Sequence, residues 1–252
     1  MTTPVFPFIA WDNRFADATP VASSTLSGAA INLADFRPYT SWKPSSLPAT
    51  VTVDCATAKS ADKLAVFNHD LYTGACTIEV RGSTDNFSAS DVLVHSYTPS
   101  SNSPFVRDFN SASYRYWRIR ITGTSAPTLT VVALGVGLEF PDGLPYGFEP
   151  LARKVYGQSN VSEQGLPLGK AILFEQWSQQ LSFKYLDKTW VRTTFMAAWK
   201  SHLRGKPFLF AFDLTNYPAE IYLVEAGDDL RVPQELPSLM SLSFEVRGVA
   251  LA

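Results

Sequence analysis

The chain has 252 residues, 46% of them hydrophobic and only 17% charged, with a net charge of −2. Without a basic run or an excess of positive charge, a phosphate-tracking groove is excluded and no nucleic-acid partner is expected. No stretch approaches the ~18 apolar residues that a spanning helix needs, so no membrane insertion is expected either.

Phe6-Pro-Phe-Ile-Ala-Trp11 is an apolar opening segment, followed by small and polar residues to Ala30. Ala30 to Pro44 reads as a loop carrying an aromatic anchor at Trp42. Short strands are expected at 51–54, 64–67, 77–81 and 91–94, with the turn Asn68-His-Asp70 after the second. Ser100 to Ser103 is an exposed loop tip, and Phe105 to Phe109 leads into the clearest element of the chain. That element is Tyr114-Arg-Tyr-Trp-Arg-Ile-Arg-Ile-Thr-Gly123. Trp117, Ile119 and Ile121 alternate with Tyr116, Arg118 and Arg120, so one face meets a core and the other is solvated or internally paired. Leu129 to Leu138 is a nearly continuous apolar strand. Short strands about ten residues apart with no helix between them imply an antiparallel sandwich.

Pro141 to Pro150 holds three prolines and two glycines and reads as a linker, which divides the chain into 1–145 and 146–252. In the second half, 171–174 and 180–185 read as strands, the latter with Leu181, Phe183 and Tyr185 on one face. Asp187 caps an expected helix to about Leu203, whose apolar face is Val191, Phe195, Ala198, Trp199 and His202, and Gly205 and Pro207 end it. Three more strands are expected at 208–212, 220–224 and 242–247. The fold class expected is therefore mainly β: an antiparallel sandwich followed by a small barrel or sandwich with one packed α-helix.

No catalytic constellation emerges, and the chain is expected not to be an enzyme. His69 sits in a turn, where a bond to its own loop is expected. His95 follows a strand, and His202 lies where a helix C-terminus favours positive charge. Glu175 and Glu245 are the conceivable carboxylate pair for glycan hydrolysis, and strand alternation equally makes them surface residues. Cys55 and Cys76 have no metal-ligand spacing; a disulfide between them is geometrically possible, and a reducing compartment favours two free, partly buried thiols. Asp12, Asp17 and Asp35 are the residues that would gather round a cation at one end of the sandwich; scattered Asp residues more often form turns. Met1-Thr-Thr-Pro-Val-Phe-Pro7 lacks the basic start and apolar core of a secretion signal, so the chain is expected in the cytoplasm at least until assembly.

Five segments in order resemble the discoidin, or coagulation-factor type C, family of galactose-binding-like jelly rolls: Ala30-Ile-Asn-Leu33, Thr40-Ser-Trp42, Val51-Thr-Val-Asp54, Ile78 to Phe87, and Tyr114 to Ile119. The resemblance covers about residues 25–140 and implies a jelly roll with loops grouped at one end. Tyr39, Trp42 and Tyr72 lie in those loops, where rings stack on sugars, and are the candidate carbohydrate-binding residues. In the family the counterpart of Trp42 plugs the bottom of the sandwich. Phe36-Arg-Pro-Tyr39 stands where the family often carries a calcium loop, so no cofactor is expected beyond the structural calcium that the family would suggest.

Residues 165–252 are similar to the tube-type β-barrel of distal and minor tail proteins of long-tailed bacteriophages. The matching segments are Ser182-Phe-Lys-Tyr185, the 191–203 helix, Gly205 to Phe210 and Ser243-Phe-Glu-Val246. This implies a structural protein of a virion tail tip or baseplate, assembled in the host cytoplasm, with the jelly roll decorating a homo-oligomeric ring. Hexamer is expected in preference to trimer. The other partners implied are tail proteins and host surface glycan. Val191, Phe195, Trp199, Phe208 and Phe210 are expected to carry assembly. The alternative is a stand-alone carbohydrate-binding module of a bacterial surface protein.

Overall fold

The computed structural model describes residues 7–141, 148–150 and 152–249. The boundary expected near residue 145 lies outside them. The chain separates into two compact units, Met1–Phe140 with Phe208–Ile221, and Pro141–Pro207 with Tyr222–Ala252.

Short strands come first: β1 (Phe8–Ala10), β2 (Val21–Ala22), β3 (Ser27–Gly28) and β4 (Trp42–Lys43). They are followed by β5 (Ala49–His69), β6 (Thr77–Ser83), β7 (Val92–Tyr97), β8 (Phe105–Thr122), β9 (Leu129–Gly135) and β10 (Leu138–Glu139). The remainder is β11 (Lys154–Val161), β12 (Pro167–Asp187), a helix α1 over 188–203, β13 (Phe208–Ala211), β14 (Ile221–Arg231), β15 (Gln234–Leu236) and β16 (Leu239–Val249).

The first unit is an antiparallel sandwich in which β5 and β8 belong to both layers. One half of β5 pairs Ala49 through Asp54 with Ile121 back to Tyr116, beside β2 on one side and β6 and β7 beyond β8. The other half pairs Lys63 through His69 with β9, and β4 and β3 continue that layer. Between the halves the register slips at Asp54/Lys59 and again at Ala61/Lys63. Such bulges bend a strand, and here they carry it from one layer to the next without a loop. The separate strands expected at 51–54 and 64–67 are thus one. Alternation sends Val51, Val53, Ile78, Val80, Ile119 and Ile121 into the same buried cluster as Leu64, Val66, Val132 and Leu134, with Trp42 and Trp117 in it.

The outward face of the Trp117 strand is paired internally. Arg115 grips Asp54 through two bonds of 2.8 Å, holding that carboxyl at a pKa of about 2. Arg120 and Arg81 share Glu79, and Arg118 donates to Thr52 with its guanidinium 3.6 Å from the Phe87 ring centroid. These contacts leave the face with little unneutralised positive charge.

The segment 208–221 corrects the expected division. β13 pairs with β1, placing Phe210 opposite Ile9, and joins the first unit. All four of its residues are buried. A run buried on both faces has no alternation, so the sequence cannot say which sheet claims it.

In the second unit β16 pairs with β14, β12 and β15, and β11 pairs with β12. α1 supplies Val191, Phe195, Trp199 and Leu203 to its core, with Phe195 and Trp199 lying 5.8 and 5.5 Å from the Phe244 ring. Two of its turns, Val191–Phe195 and Trp199–Leu203, are π-helical. Tyr185 was expected beside Leu181 and Phe183; a register slip between Phe183 and Leu186 exposes it at φ 60° and buries Leu186 instead. Trp177 stacks on Tyr222 at 4.4 Å and donates its indole N–H to the Pro150 carbonyl. Asp187 accepts from the Trp190 N–H at 2.8 Å, as a helix N-cap does. We expect Asp187→Ala to lower the second unit's stability by about 1 kcal/mol in urea unfolding, the usual loss for a cap.

Candidate functional site

The loops beyond the His69 end of β5 enclose a hollow in the first unit. Asn68 takes φ 56° and donates its amide to the Pro38 carbonyl at 3.4 Å, tying β5 to the Tyr39 loop. Asp70 accepts from the Thr128 N–H at 2.5 Å, tying it to the loop before β9. Asp35 fixes the Tyr39 loop from within, accepting from the Arg37 N–H and the Thr40 hydroxyl. These ties leave a hollow of about 300 Å³ walled by Tyr39, Thr40, Asn68, Asp70 and Thr128, with His69 at its base. Tyr39 is 79% exposed.

His69 has a fixed role. Its Nδ1 accepts from the Leu71 N–H and its Nε2 lies 3.0 Å from the Ser103 carbonyl, to which it donates. Burial lowers its pKa and outweighs the Ser103 bond and the Asp70 charge, so the ring is neutral and holds the loop as the turn pattern implied. Asn102 adds a second tie, accepting from the Tyr72 and Thr73 N–H groups.

Of the three aromatics expected to meet sugar, the structure separates one from the others. Trp42 is fully buried and donates its indole N–H to Thr25, so it serves the core and offers no ring to a ligand. Tyr39 and Tyr72 are exposed, Tyr39 on the hollow and Tyr72 on the adjoining 70–75 turn outside its lining. Asn68, Asp70, Thr40 and Thr128 were not singled out from sequence. Only the turn grammar of Asn68-His-Asp70 pointed toward them.

Val191, Phe195, Trp199, Phe208 and Phe210, the residues expected to carry assembly, are buried within the single chain at no more than 7% exposure. An amphipathic helix and an apolar strand look the same whether a neighbouring strand or a neighbouring subunit covers them. Asp12 and Asp17 flank the buried Arg14 guanidinium, and Asp17 also meets Lys59 at 3.0 Å. Asp35 is occupied in its own loop, and among the described residues no cluster of metal-ligand type occurs. Cys55 and Cys76 are free, and burial pushes the Cys55 thiol up to about 11. His202 is not the cation expected at a helix end: burial lowers its pKa, and its ring bonds the Pro207 carbonyl. Arg247 and Ser178 hold Glu245 at a pKa of about 2, opposite to what a general acid needs.

No protein-family model matches the sequence, and no curated protein matches it. Among solved structures the chain is similar to CpGH89CBM32-5 from Clostridium perfringens, seen in complex with GalNAc-β-1,3-galactose. That match has 14% identity and a TM-score of 0.42 over 49% of this chain and 98% of that one. It is also similar to the family 32 CBM of Clostridium perfringens NanJ, in complex with galactose, at 15% identity and TM-score 0.41 over 51% and 98% of the two chains. A chitosan-binding module of a chitosanase/glucanase from Paenibacillus sp. IK-5 aligns at 15% identity and TM-score 0.41, over 48% and 96%.

A second hollow, of about 440 Å³, lies on the outer sheet face among Thr50, Thr52, Asp54, Tyr116 and Arg118. Its charged walls are already engaged, Asp54 by Arg115 and Arg118 by Thr52 and Phe87. The Tyr39 hollow differs in having a bare aromatic ring beside hydroxyl, amide and carboxylate groups. Such a set suits a neutral, polyhydroxylated ligand with one apolar face.

Proposed function

We propose that the first unit is a carbohydrate-binding module and that the Tyr39 hollow is its site. The observation that carries this reading is the exposed Tyr39 ring on the rim of a polar hollow. A pyranose presents a patch of C–H groups to an aromatic face while its hydroxyls exchange hydrogen bonds with side-chain oxygens and amides. Asn68, Asp70 and Thr128 are held by loop-to-loop bonds, so little ordering is lost when a ligand enters. The virion-ring reading has no such support, since the residues expected to build the ring are already buried within one chain.

The test is a panel of neutral and acidic glycans followed by calorimetry on the strongest hits. We expect Tyr39→Ala to weaken binding by about tenfold or more, equivalent to ~1.4 kcal/mol. Its melting temperature should be unchanged, because the ring is mostly in water. Tyr72→Ala should have a smaller effect. If no glycan binds, or if Tyr39→Ala binds as the parent does, the assignment is wrong.

A further inference from the structure

The second unit carries a ribbon that nothing covers among the described residues. Lys154–Val161 and the first ten residues of Pro167–Asp187 pair only with each other among the described residues, while β16 takes up β12 from Trp177 onward. From 157 to 175 every residue except Ser162 is exposed. Yet the ribbon is apolar: Val161, Leu166, Leu168, Ile172, Leu173 and Phe174 are each 54 to 73% exposed. Val155 adds a further apolar side chain at 37% exposure. A two-stranded ribbon standing alone in water is marginal, and one this apolar needs a cover.

We propose that two copies of the chain associate through this ribbon, lying antiparallel with Ile172 and Leu173 at the two-fold axis. The charge pattern selects a second copy as the occupant. Neither Lys170 nor Glu175 has an ion-pair partner within the described chain. Counting outward from the Ile172–Leu173 centre, an antiparallel copy sets its Glu175 opposite Lys170 and its Lys170 opposite Glu175. Ala171 then meets Phe174, small against large. A two-fold contact repeats each pairing, so the lone charges are neutralised twice and the apolar centre is sealed between them.

Sedimentation velocity on the full-length protein tests this with four variants. The parent should be dimeric at micromolar concentration, and Leu173→Asp should be monomeric. Lys170→Glu and Glu175→Lys each place like charges opposite one another twice and should raise the dimer dissociation constant about tenfold or more. The double variant K170E/E175K restores both opposite-charge pairs and should return to within about threefold of the parent. Circular dichroism should show all four folded, since the changed side chains are exposed. A parent that stays monomeric, a Leu173→Asp protein that stays dimeric, or a double variant no better than the single ones overturns the proposal.

Discussion

Trp117→Ala should unfold the first unit at temperatures where the parent is intact. The indole is fully buried between the layers, with Tyr114 edge-on at 5.4 Å. Its N–H donates to the Lys59 carbonyl at 3.0 Å, within the bulged stretch where β5 changes layers. Truncation removes the largest side chain of the central strand and leaves a cavity, for which about 3–5 kcal/mol is typical. Against a total of about 5–15 kcal/mol for a domain, that is much of the margin. Trp117→Phe separates the two contributions. It keeps most of the packing but strands the carbonyl, so it should cost about 1–3 kcal/mol. Urea unfolding followed by far-ultraviolet circular dichroism resolves the three proteins, and equal midpoints for parent and Trp117→Ala would show that the strand's faces are assigned the wrong way round.

That strand was legible because alternation is a local property. Trp117, Ile119 and Ile121 are inside, and Arg118 and Arg120 are outside, as period two requires. Strand length was not legible. Between Asp54 and Lys63 the residues are small or polar, with Ala56 at φ 61°, and that grammar reads as a loop although the chain remains in the ladder through two bulges. The second unit shows the same blind spot. β11 contains Gly157, Ser159 and Asn160, and its strand character comes from pairing with β12 rather than from its own pattern.

The site was legible only in part, for a related reason. Tyr39 and Trp42 are three residues apart in one loop, and sequence gives both the same description. The structure puts one in water and the other in the core. The groups around Tyr39 come from the end of β5 and from the loop before β9, with Asp70 and Thr128 58 positions apart. No spacing rule joins them, because jelly-roll topology rather than local pattern brings those loops together. The exposed ribbon escaped for the opposite reason. Ile172, Leu173 and Phe174 look like core residues, and only the fold shows that no core reaches them.

Lys63 should be the charged residue whose loss costs the first unit most. It lies on β5 just after the second bulge, with its side chain 10% exposed. Its ammonium is 2.8 Å from Glu139, 3.4 Å from Asp108 and 4.0 Å from Asp62, so one cation answers three carboxylates. Burial pulls the Lys63 pKa down, but the Glu139 bond and the charges of Asp108, Asp62 and Glu139 outweigh it and leave the pKa raised. Burial raises the Asp108 pKa, and Lys63 only partly offsets that. Lys63→Met keeps the stem and removes the charge, leaving mutually repelling carboxylates in a half-buried site. The expected loss at neutral pH is about 3–5 kcal/mol, the range for breaking a buried pair on one side. The sign of the pH dependence follows from Asp108. A carboxyl whose folded pKa lies above its unfolded one contributes stability below the unfolded value, and that contribution is lost as pH rises through the folded value. Without Lys63 the folded pKa of Asp108 rises further, and the window of loss widens toward neutrality. Lowering the pH from 7 toward 5 should therefore narrow the gap between Lys63→Met and the parent in urea midpoint, as Asp108 takes up a proton and the repulsion fades. A gap that stays constant or widens on acidification would show that Lys63 acts through the packing of its stem, against the Phe8 ring 5.7 Å from its ammonium, and not through its charge.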